Sequence, residues 1–286
     1  MDSLGHRFLS QGFIQLEPSA IKQQMTRIDT ELNVLVQPSF QHSGATGLVR
    51  VPELDNPNQL CRVEYLAGAS TWYRNELVPE LARLIETHLG QPVSLFKDKC
   101  NFKRPGGGAF PPHQDIVAYR HFGSWYHVTA AVLLDEATEE NGALHMATRW
   151  DVPDSLAKEA VNWVDTPRGL LPMLPSYQGG CRNGDIQEEL TETMQWQRVD
   201  ASPGDVILFD SYVPHFSQAN HSNSTRRILF FTFNLASEGS LYFDYYQKKW
   251  QEPNNPIFHV ATPTSHSDRT HQPDILSPPQ PGDWPL

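Results

Sequence analysis

The sequence is poor in cysteine. It has three in 286 residues, Cys61, Cys100 and Cys181, and no two of them form a C-x-x-C pair. An odd, widely spaced set predicts neither a disulfide framework nor a zinc ribbon. We therefore expect a protein of a reducing compartment.

Basic residues and long apolar runs are also scarce. Lys and Arg number 22 against 33 Asp and Glu, which gives a formal net charge of −11 and argues against non-specific binding to nucleic acid or anionic membranes. No stretch reaches the roughly 18 apolar residues that a membrane span needs, and the N-terminus lacks the pattern of a secretory leader. We expect a cytoplasmic protein that acts on a small molecule and binds neither nucleic acid nor membrane. The sequence leaves its oligomeric state open.

Two kinds of pattern divide the chain. Residues 18–36 and 70–89 carry apolar side chains at steps of three and four, which predicts two amphipathic helices, and Gly90 ends the second. From Pro92 the pattern changes to short β-branched and aromatic runs separated by turn residues. The strands predicted from these runs cover residues 93–102, 128–134, 206–209 and 227–234.

These patterns predict one domain over residues 1–262. Its N-terminal part, residues 1–91, is expected to be helical, and residues 92–262 form a β-rich barrel. Within the barrel, residues 151–200 are rich in Pro and Gly, and a connection of this length predicts a lid-like insertion. Residues 263–286 are dense in Pro and Ser and are expected to form a C-terminal tail.

The most informative segment is His113-Gln114-Asp115. In an extended strand residues i and i+2 point to the same face, so His113 and Asp115 can hold one metal ion. His215 follows a second predicted strand and can supply a third ligand. Two imidazoles and a carboxylate on one face are typical of non-haem iron(II). Eleven residues later, Arg226 can bind a carboxylate beside the metal through two parallel hydrogen bonds.

The alternative is that these residues bind no metal and have only a structural role. An H-x-D pair alone is a weak signal, since a second one, His266-Ser267-Asp268, lies in the polar tail. In that interpretation His113 and His215 are surface residues and Arg226 is a solvated charge. The combination of motif, following strand and arginine favours the metal site.

With Glu140–Leu144 and Gly204-Asp205, these residues resemble the phytanoyl-CoA dioxygenase family of iron(II)- and 2-oxoglutarate-dependent oxygenases, over about residues 95–249. The resemblance implies a mainly β fold with flanking helices, namely a double-stranded β-helix (jelly-roll, cupin-like) barrel with the N-terminal helices packed outside. Residues 144–149 depart from the family, where a P-G-S-H-like turn is common, which leaves the substrate open.

The resemblance also implies a site and a reaction. His113, Asp115 and His215 would hold Fe(2+), and the far carboxylate of 2-oxoglutarate would meet Arg226. With O2 as the other cosubstrate, a substrate C–H bond is hydroxylated and succinate and CO2 are released. Thr129 and Asn101 are candidate polar contacts to 2-oxoglutarate, although each could equally be a hydrogen-bonded core residue.

The substrate signal lies in the strand before the H-x-D segment. Lys97, Lys99, Asn101 and Lys103 share one face at period two, which favours a pocket for an anionic group. The anion is either 2-oxoglutarate itself or a substrate phosphonate, phosphate or carboxylate, and Lys99 and Lys103 are the candidate substrate contacts. The alternative is a solvated edge strand, where lysines oppose aggregation. Residues 95–108 and 236–249 resemble bacterial hydroxylases of aminoalkylphosphonates, which implies an organophosphonate substrate.

Aromatic residues follow the ligand motif. Tyr119 and Trp125 could close the substrate side of the metal, where their ring faces would suit an ammonium group, or they could simply pack between strands. Two other functions also stay open. A family member could tailor an amino acid or a secondary metabolite, and a cupin-like barrel could bind a ligand without turnover.

Overall fold

Antiparallel pairing of strands organises the chain in this computed structural model, which describes residues 3–37, 47–53, 56, 58–150, 161–260 and 274–275. In chain order the strands are β1 (Phe13–Leu16), β2 (Val49–Pro52), β3 (Leu60–Glu64), β4 (Val93–Lys103), β5 (Phe110–His113), β6 (His127–Leu133), β7 (Leu144–Arg149), β8 (Asn162–Thr166), β9 (Gly169–Met173), β10 (Gln195–Val199), β11 (Val206–Asp210), β12 (His215–Ser217), β13 (Arg226–Leu235) and β14 (Asp274–Ile275). The α-helices are α1 (Ser3–Gln11), α2 (Ser19–Val36), α3 (Leu66–Ala69), α4 (Val78–Leu89), α5 (Ile116–Tyr119), α6 (Glu188–Thr191) and α7 (Tyr242–Gln251).

Two sheets form the body of the molecule. The larger has eight strands in the order β1-β11-β6-β13-β4-β3-β2-β14, and the smaller has four in the order β10-β7-β12-β5. Strands β8 and β9 pair only with each other within the described part of the chain. Some neighbouring strands are far apart in sequence, as β5 and β12 illustrate, so pairing in the sheets brings distant segments together.

Alternation along β13 divides the larger sheet into two faces. Leu229, Phe231 and Phe233 are buried on the outer face, in a core shared with Ile28 of α2 and Leu81 of α4. The helices therefore cover the outer face of the larger sheet. A second core lies between the sheets and contains Leu144 and Met146 of the smaller sheet with Ile207, Phe209 and Ile228 of the larger one.

The predicted helices are present, with one difference. Helix α2 covers the first predicted stretch, and Gly90, in the left-handed conformation at φ 78°, ends α4 and donates its N–H to the Glu86 carbonyl at 2.8 Å. The second helix includes a π-helical turn, Tyr73–Leu77, directly before α4. The irregularity lies where Pro79 enters the helix, because proline has no N–H for the regular i→i−4 bond.

The predicted strands correspond to β4, β6, β11 and β13, each within one residue at either end. The part expected to be helical also contains β1, β2 and β3, which join the larger sheet. Of the predicted insertion, residues 151–160 lie outside the described residues. The rest forms the β8–β9 hairpin, α6 and β10, and β10 pairs with β7.

The predicted tail lies outside the described residues except for β14, whose backbone pairs with β2. Among the described helices, none is long and apolar enough to span a membrane.

Candidate metal and cosubstrate site

Three predicted ligands meet at one end of the smaller sheet. His113 ends β5 and His215 begins β12, and the two are directly opposite each other in the antiparallel register. Their ring centroids are 4.2 Å apart, and His113 Nε2 lies 3.8 Å from Asp115 Oδ1. One ligand atom from each of the three residues lies within 4.8 Å of the others. The structure thus brings His113, Asp115 and His215 together as one candidate metal centre.

Asp115 reaches this position by a different route from the one predicted. Strand β5 ends at His113, and Asp115 has helical dihedrals, φ −65° and ψ −29°, as the residue that precedes α5. The turn between strand and helix, rather than the alternation of an extended strand, places the carboxylate beside the imidazole. The expectation that both residues lie in one strand was therefore wrong, although the two side chains do lie close together.

The protonation of the ligands suits a divalent metal. His113 Nδ1 lies 2.8 Å from the Pro111 carbonyl and His215 Nδ1 lies 3.0 Å from the Val213 carbonyl. A carbonyl only accepts, so each Nδ1 carries the proton and each Nε2 keeps a free lone pair. Burial and the neighbouring His215 lower the pKa of His113 to about 3. Burial alone would raise the pKa of Asp115, but the two imidazoles and nearby lysines lower it to about 2.

The ligands line a cavity between the two sheets. Its volume is about 90 Å³. Leu144, Phe209, Phe216 and Phe230 contribute apolar wall. The polar residues that line it besides the three ligands are Arg62, Glu64, Lys97, Lys99, Asn101, Tyr119, Thr129, Ser217, Arg226, Thr232, Tyr245 and Lys249.

Arg226 lines this cavity and is 4% exposed. Its Nη1 donates to the carbonyl of Gly142, while its Nε has no hydrogen-bond partner in the part of the chain that the structure describes. Gly142 has φ 76°, and a Cβ there would collide with the Gln218 carbonyl, so only glycine permits this close approach. Burial lowers the pKa of Arg226 to about 10. A buried guanidinium with an unused donor fits a carboxylate ligand.

The other predicted cosubstrate contacts also line the cavity. The Asn101 Oδ1 is buried and has no hydrogen-bond partner among the described residues. Thr129 Oγ1 lies 2.9 Å from Thr232 Oγ1 on the neighbouring strand. The donor set of the ligands, the buried Arg226 and the unpaired Asn101 oxygen together fit iron(II) and a small dicarboxylate.

The lysine face is buried in the middle of the larger sheet. Strand β4 lies between β13 and β3, so the alternative of a solvated edge strand was wrong. Lys97 and Lys99 line the cavity, and Tyr119 does so as well. Lys103 does not line the cavity. Its Nζ donates to Ser217 Oγ at 2.7 Å and to the Gln218 carbonyl, and these bonds connect β4 to the segment that begins at β12.

Trp125 lies away from the cavity. It is 42% exposed, and its backbone N–H donates to Glu238 Oε1 at 3.0 Å. Because the residue belongs to the turn before β6, its ring reaches solvent rather than the metal. The predicted role of Trp125 at the substrate side thus differs from its place in the structure.

Three further cavity residues escaped the sequence reasoning. Both carboxylate oxygens of Glu64 lie 2.7 Å from Lys249 Nζ, and Arg62 Nε lies 2.7 Å from Glu64 Oε1. Arg62 and Glu64 are two positions apart in β3 and therefore share one face of the strand. Predicting residues 60–64 as a strand would have placed the two charges side by side. No strand or helix pattern around Lys249 predicted its contact with Glu64, which is 185 residues away in sequence.

Comparisons with known proteins agree with this geometry. The sequence profile described as phytanoyl-CoA dioxygenase matches residues 8–228. The chain is 35% identical over 191 residues to a 2-aminoethylphosphonate dioxygenase of uncultured bacterium HF130_AEPn_1. It is 33% identical over 192 residues to a methylphosphonate hydroxylase of Gimesia maris. Each match covers 66% of this chain and 64% of the relative, so the chain spans slightly under two thirds of the length of these relatives.

The fold is similar to that of a solved protein structure. The crystal structure of EctD from S. alaskensis with 2-oxoglutarate and 5-hydroxyectoine matches with a TM-score of 0.58 at 20% identity. The match covers 83% of this chain and 77% of that one. It confirms the predicted double-stranded β-helix with flanking helices.

Proposed function

The chain belongs to the phytanoyl-CoA dioxygenase family, and from this premise we propose that it is an iron(II)- and 2-oxoglutarate-dependent hydroxylase. Its substrate is a small anionic molecule such as an organophosphonate, and the reaction consumes O2 and releases succinate and CO2. The observation that carries the proposal is the convergence of His113, Asp115 and His215 in one cavity with the buried Arg226.

Each residue has a role that follows from its contacts. His113 and His215 offer their Nε2 lone pairs and Asp115 its carboxylate to iron(II), which supplies the oxidative chemistry with O2 when bound. The carbonyls of Pro111 and Val213 fix the imidazole orientation through the Nδ1 protons. Arg226 binds the far carboxylate of 2-oxoglutarate, and the aromatic wall around Phe230 excludes water from it.

The charge of the cavity supports an anionic substrate. Arg62, Lys97, Lys99 and Lys249 line it in a chain whose net charge is −11. Cations concentrated in this way attract an anion and raise its local concentration. The names of the two phosphonate-oxidising relatives point the same way. A cytoplasmic location is part of the proposal, in keeping with three free cysteines in the structure.

The test is turnover by the full chain. Purified protein supplied with iron(II), 2-oxoglutarate and air should form succinate, and methylphosphonate or 2-aminoethylphosphonate should accelerate it and yield a hydroxylated product. His215→Ala should lose turnover and most of its bound iron, because it removes one of three ligands. His221→Ala, at an exposed histidine outside the cavity, is the matched control and should retain both.

The outcomes separate the alternatives. No succinate from iron-loaded protein would indicate a binding protein. Succinate without acceleration by either phosphonate would indicate another substrate, such as an amino acid or a secondary metabolite. Undiminished iron content and turnover in His215→Ala would overturn the metal assignment.

A further inference from the structure

A group of charged residues in the cavity lies apart from Arg226, on β3, β4 and α7. We call Arg62, Glu64, Lys97 and Lys249 the Arg62 cluster. All of them line the same cavity as the metal ligands. Glu64, Lys97 and Lys249 are 1%, 8% and 2% exposed, so the cluster is screened from bulk solvent.

Glu64 is fully engaged by its neighbours. Lys249 Nζ lies 2.7 Å from both of its carboxylate oxygens, and Arg62 Nε lies 2.7 Å from Oε1. The carboxylate thereby contacts two of the three cations of the cluster and offsets part of their charge.

Lys97 has no ionic or hydrogen-bonded partner among the described residues. Its Nζ lies 4.6 Å from the Tyr119 ring centroid and 5.2 Å from that of Tyr245. Cation–π contacts of this kind contribute about 0.5–2 kcal/mol, less than the cost of removing an ammonium group from water. Because Lys97 lines the cavity, an anionic ligand bound there can form an ion pair with its ammonium group.

We propose that the Arg62 cluster binds the doubly charged tetrahedral head group of the prime substrate, a phosphonate or a phosphate monoester. The inference rests on the proposed function, since it assumes that the cavity takes a substrate. Glu64 offsets only part of the positive charge of the cluster, and the oxygens of a dianion can contact both Arg62 and Lys97. Arg62 offers the paired N–H donors that match phosphate-type oxygens, and Lys97 adds a point charge between two aromatic rings.

The test measures binding in the absence of turnover. The full chain loaded with iron(II) and 2-oxoglutarate is titrated without O2, by calorimetry, with methylphosphonate, methyl phosphate and acetate. The pH is set above the second pKa of methylphosphonate, so that both tetrahedral ligands are dianions. For the wild type we expect both dianions to bind at least about tenfold more tightly than acetate. Preference for one dianion distinguishes a phosphonate from a phosphate ester as the natural head group.

Lys97→Met removes the unpaired charge and keeps most of the stem. Loss of one charge-assisted contact, about 1.5–3 kcal/mol, should weaken methylphosphonate binding by about 10- to 150-fold. Lys97→Gln serves as a second variant should Met not be tolerated. The matched control is Lys248→Met, next to Lys249 on α7, whose Nζ pairs with Glu252 at 3.4 Å. It should bind methylphosphonate as the wild type does.

Several results would overturn the inference. These are unchanged methylphosphonate affinity in folded, iron-loaded Lys97→Met or Lys97→Gln, acetate binding as tightly as the dianions, or no binding of either dianion. If the wild type still forms succinate from 2-oxoglutarate, only the head-group inference fails. If it forms none, the proposed function has failed instead.

Discussion

Arg226 and Arg227 are neighbours in sequence but face opposite sides of the larger sheet. Arg226 lines the cavity, whereas Arg227 donates from Nε and Nη2 to the Asp135 carboxylate at 2.9 and 2.8 Å and also pairs with Asp29. The alternation of a strand thus separates a cavity residue, proposed to bind 2-oxoglutarate, from a residue in a structural ion pair. The two arginines form a natural pair for testing the role of Arg226.

Arg226→Met should raise the apparent constant for 2-oxoglutarate by about a hundredfold or more. Loss of a paired, charge-assisted contact costs about 3 kcal/mol, and each 1.4 kcal/mol is about tenfold in affinity. Arg227→Met should change that constant by less than about threefold and lower stability instead. Steady-state kinetics at varied 2-oxoglutarate, with thermal unfolding of both variants, provides the measurement. The reverse ranking of the two variants would contradict the assignment.

At the scale of elements, Gln114 connects the metal-ligand segment to the β8–β9 hairpin. The residue is fully buried, and its Nε2 donates to the carbonyls of Pro172 at 3.0 Å and Tyr212 at 2.6 Å. Its Oε1 accepts from the Leu174 N–H at 2.7 Å. Gln114, between His113 and Asp115, is therefore hydrogen-bonded both to the end of β9 and to the turn before His215.

Gln114→Met should loosen the hairpin while nearly conserving side-chain volume. Three buried groups lose their partner, and each unsatisfied group costs about 1–3 kcal/mol. We expect faster amide hydrogen exchange at Leu174 and across β8 and β9, together with weaker iron binding. Gln178→Met is the control, since that exposed amide bonds only to Ser176 within the described residues. Exchange rates in Gln114→Met equal to those of the wild type would show that the amide does not anchor the hairpin.

The elements that could be predicted are those with a long local signal. Strands β4 and β13 are 11 and 10 residues long, and their runs of β-branched and aromatic residues predicted the bounds to within one residue. Short strands such as β3 and β12 depend on pairing with distant partners, which no local pattern reveals. The meeting of His113, Asp115 and His215 was predictable because their side-chain types and spacing are rare together. The turn that places Asp115 beside His113 depends on tertiary packing, so the local sequence did not predict it.

At the scale of the whole molecule, the Glu64–Lys249 ion pair joins β3 to the helix near the C-terminal end of the described chain. The two side chains are 2% and 3% exposed and 185 residues apart. Burial lowers the pKa of Lys249, while burial of Glu64 is outweighed by Lys249, Arg62 and Lys97, which lower its pKa to about 2. Glu64 is therefore ionised at neutral pH and holds two cations in the cavity wall. This contact holds α7 against the larger sheet, so that residues of β3 and α7 line the same cavity.

Glu64→Gln should lower the free energy of unfolding by about 3–5 kcal/mol, because it leaves the buried Lys249 without its partner. Lys249→Met should cost less, because Arg62 still lies beside the Glu64 carboxylate. The double variant should be less destabilised than the sum of the two, since it removes both charges together. Urea unfolding of the ligand-free protein measures all four states of this cycle. Lys248→Met, which breaks only an exposed pair, is the control and should cost no more than about 1 kcal/mol. Additive effects in the double variant would mean that the pair does not join α7 to β3 energetically, and that the Arg62 cluster is held in place by packing alone.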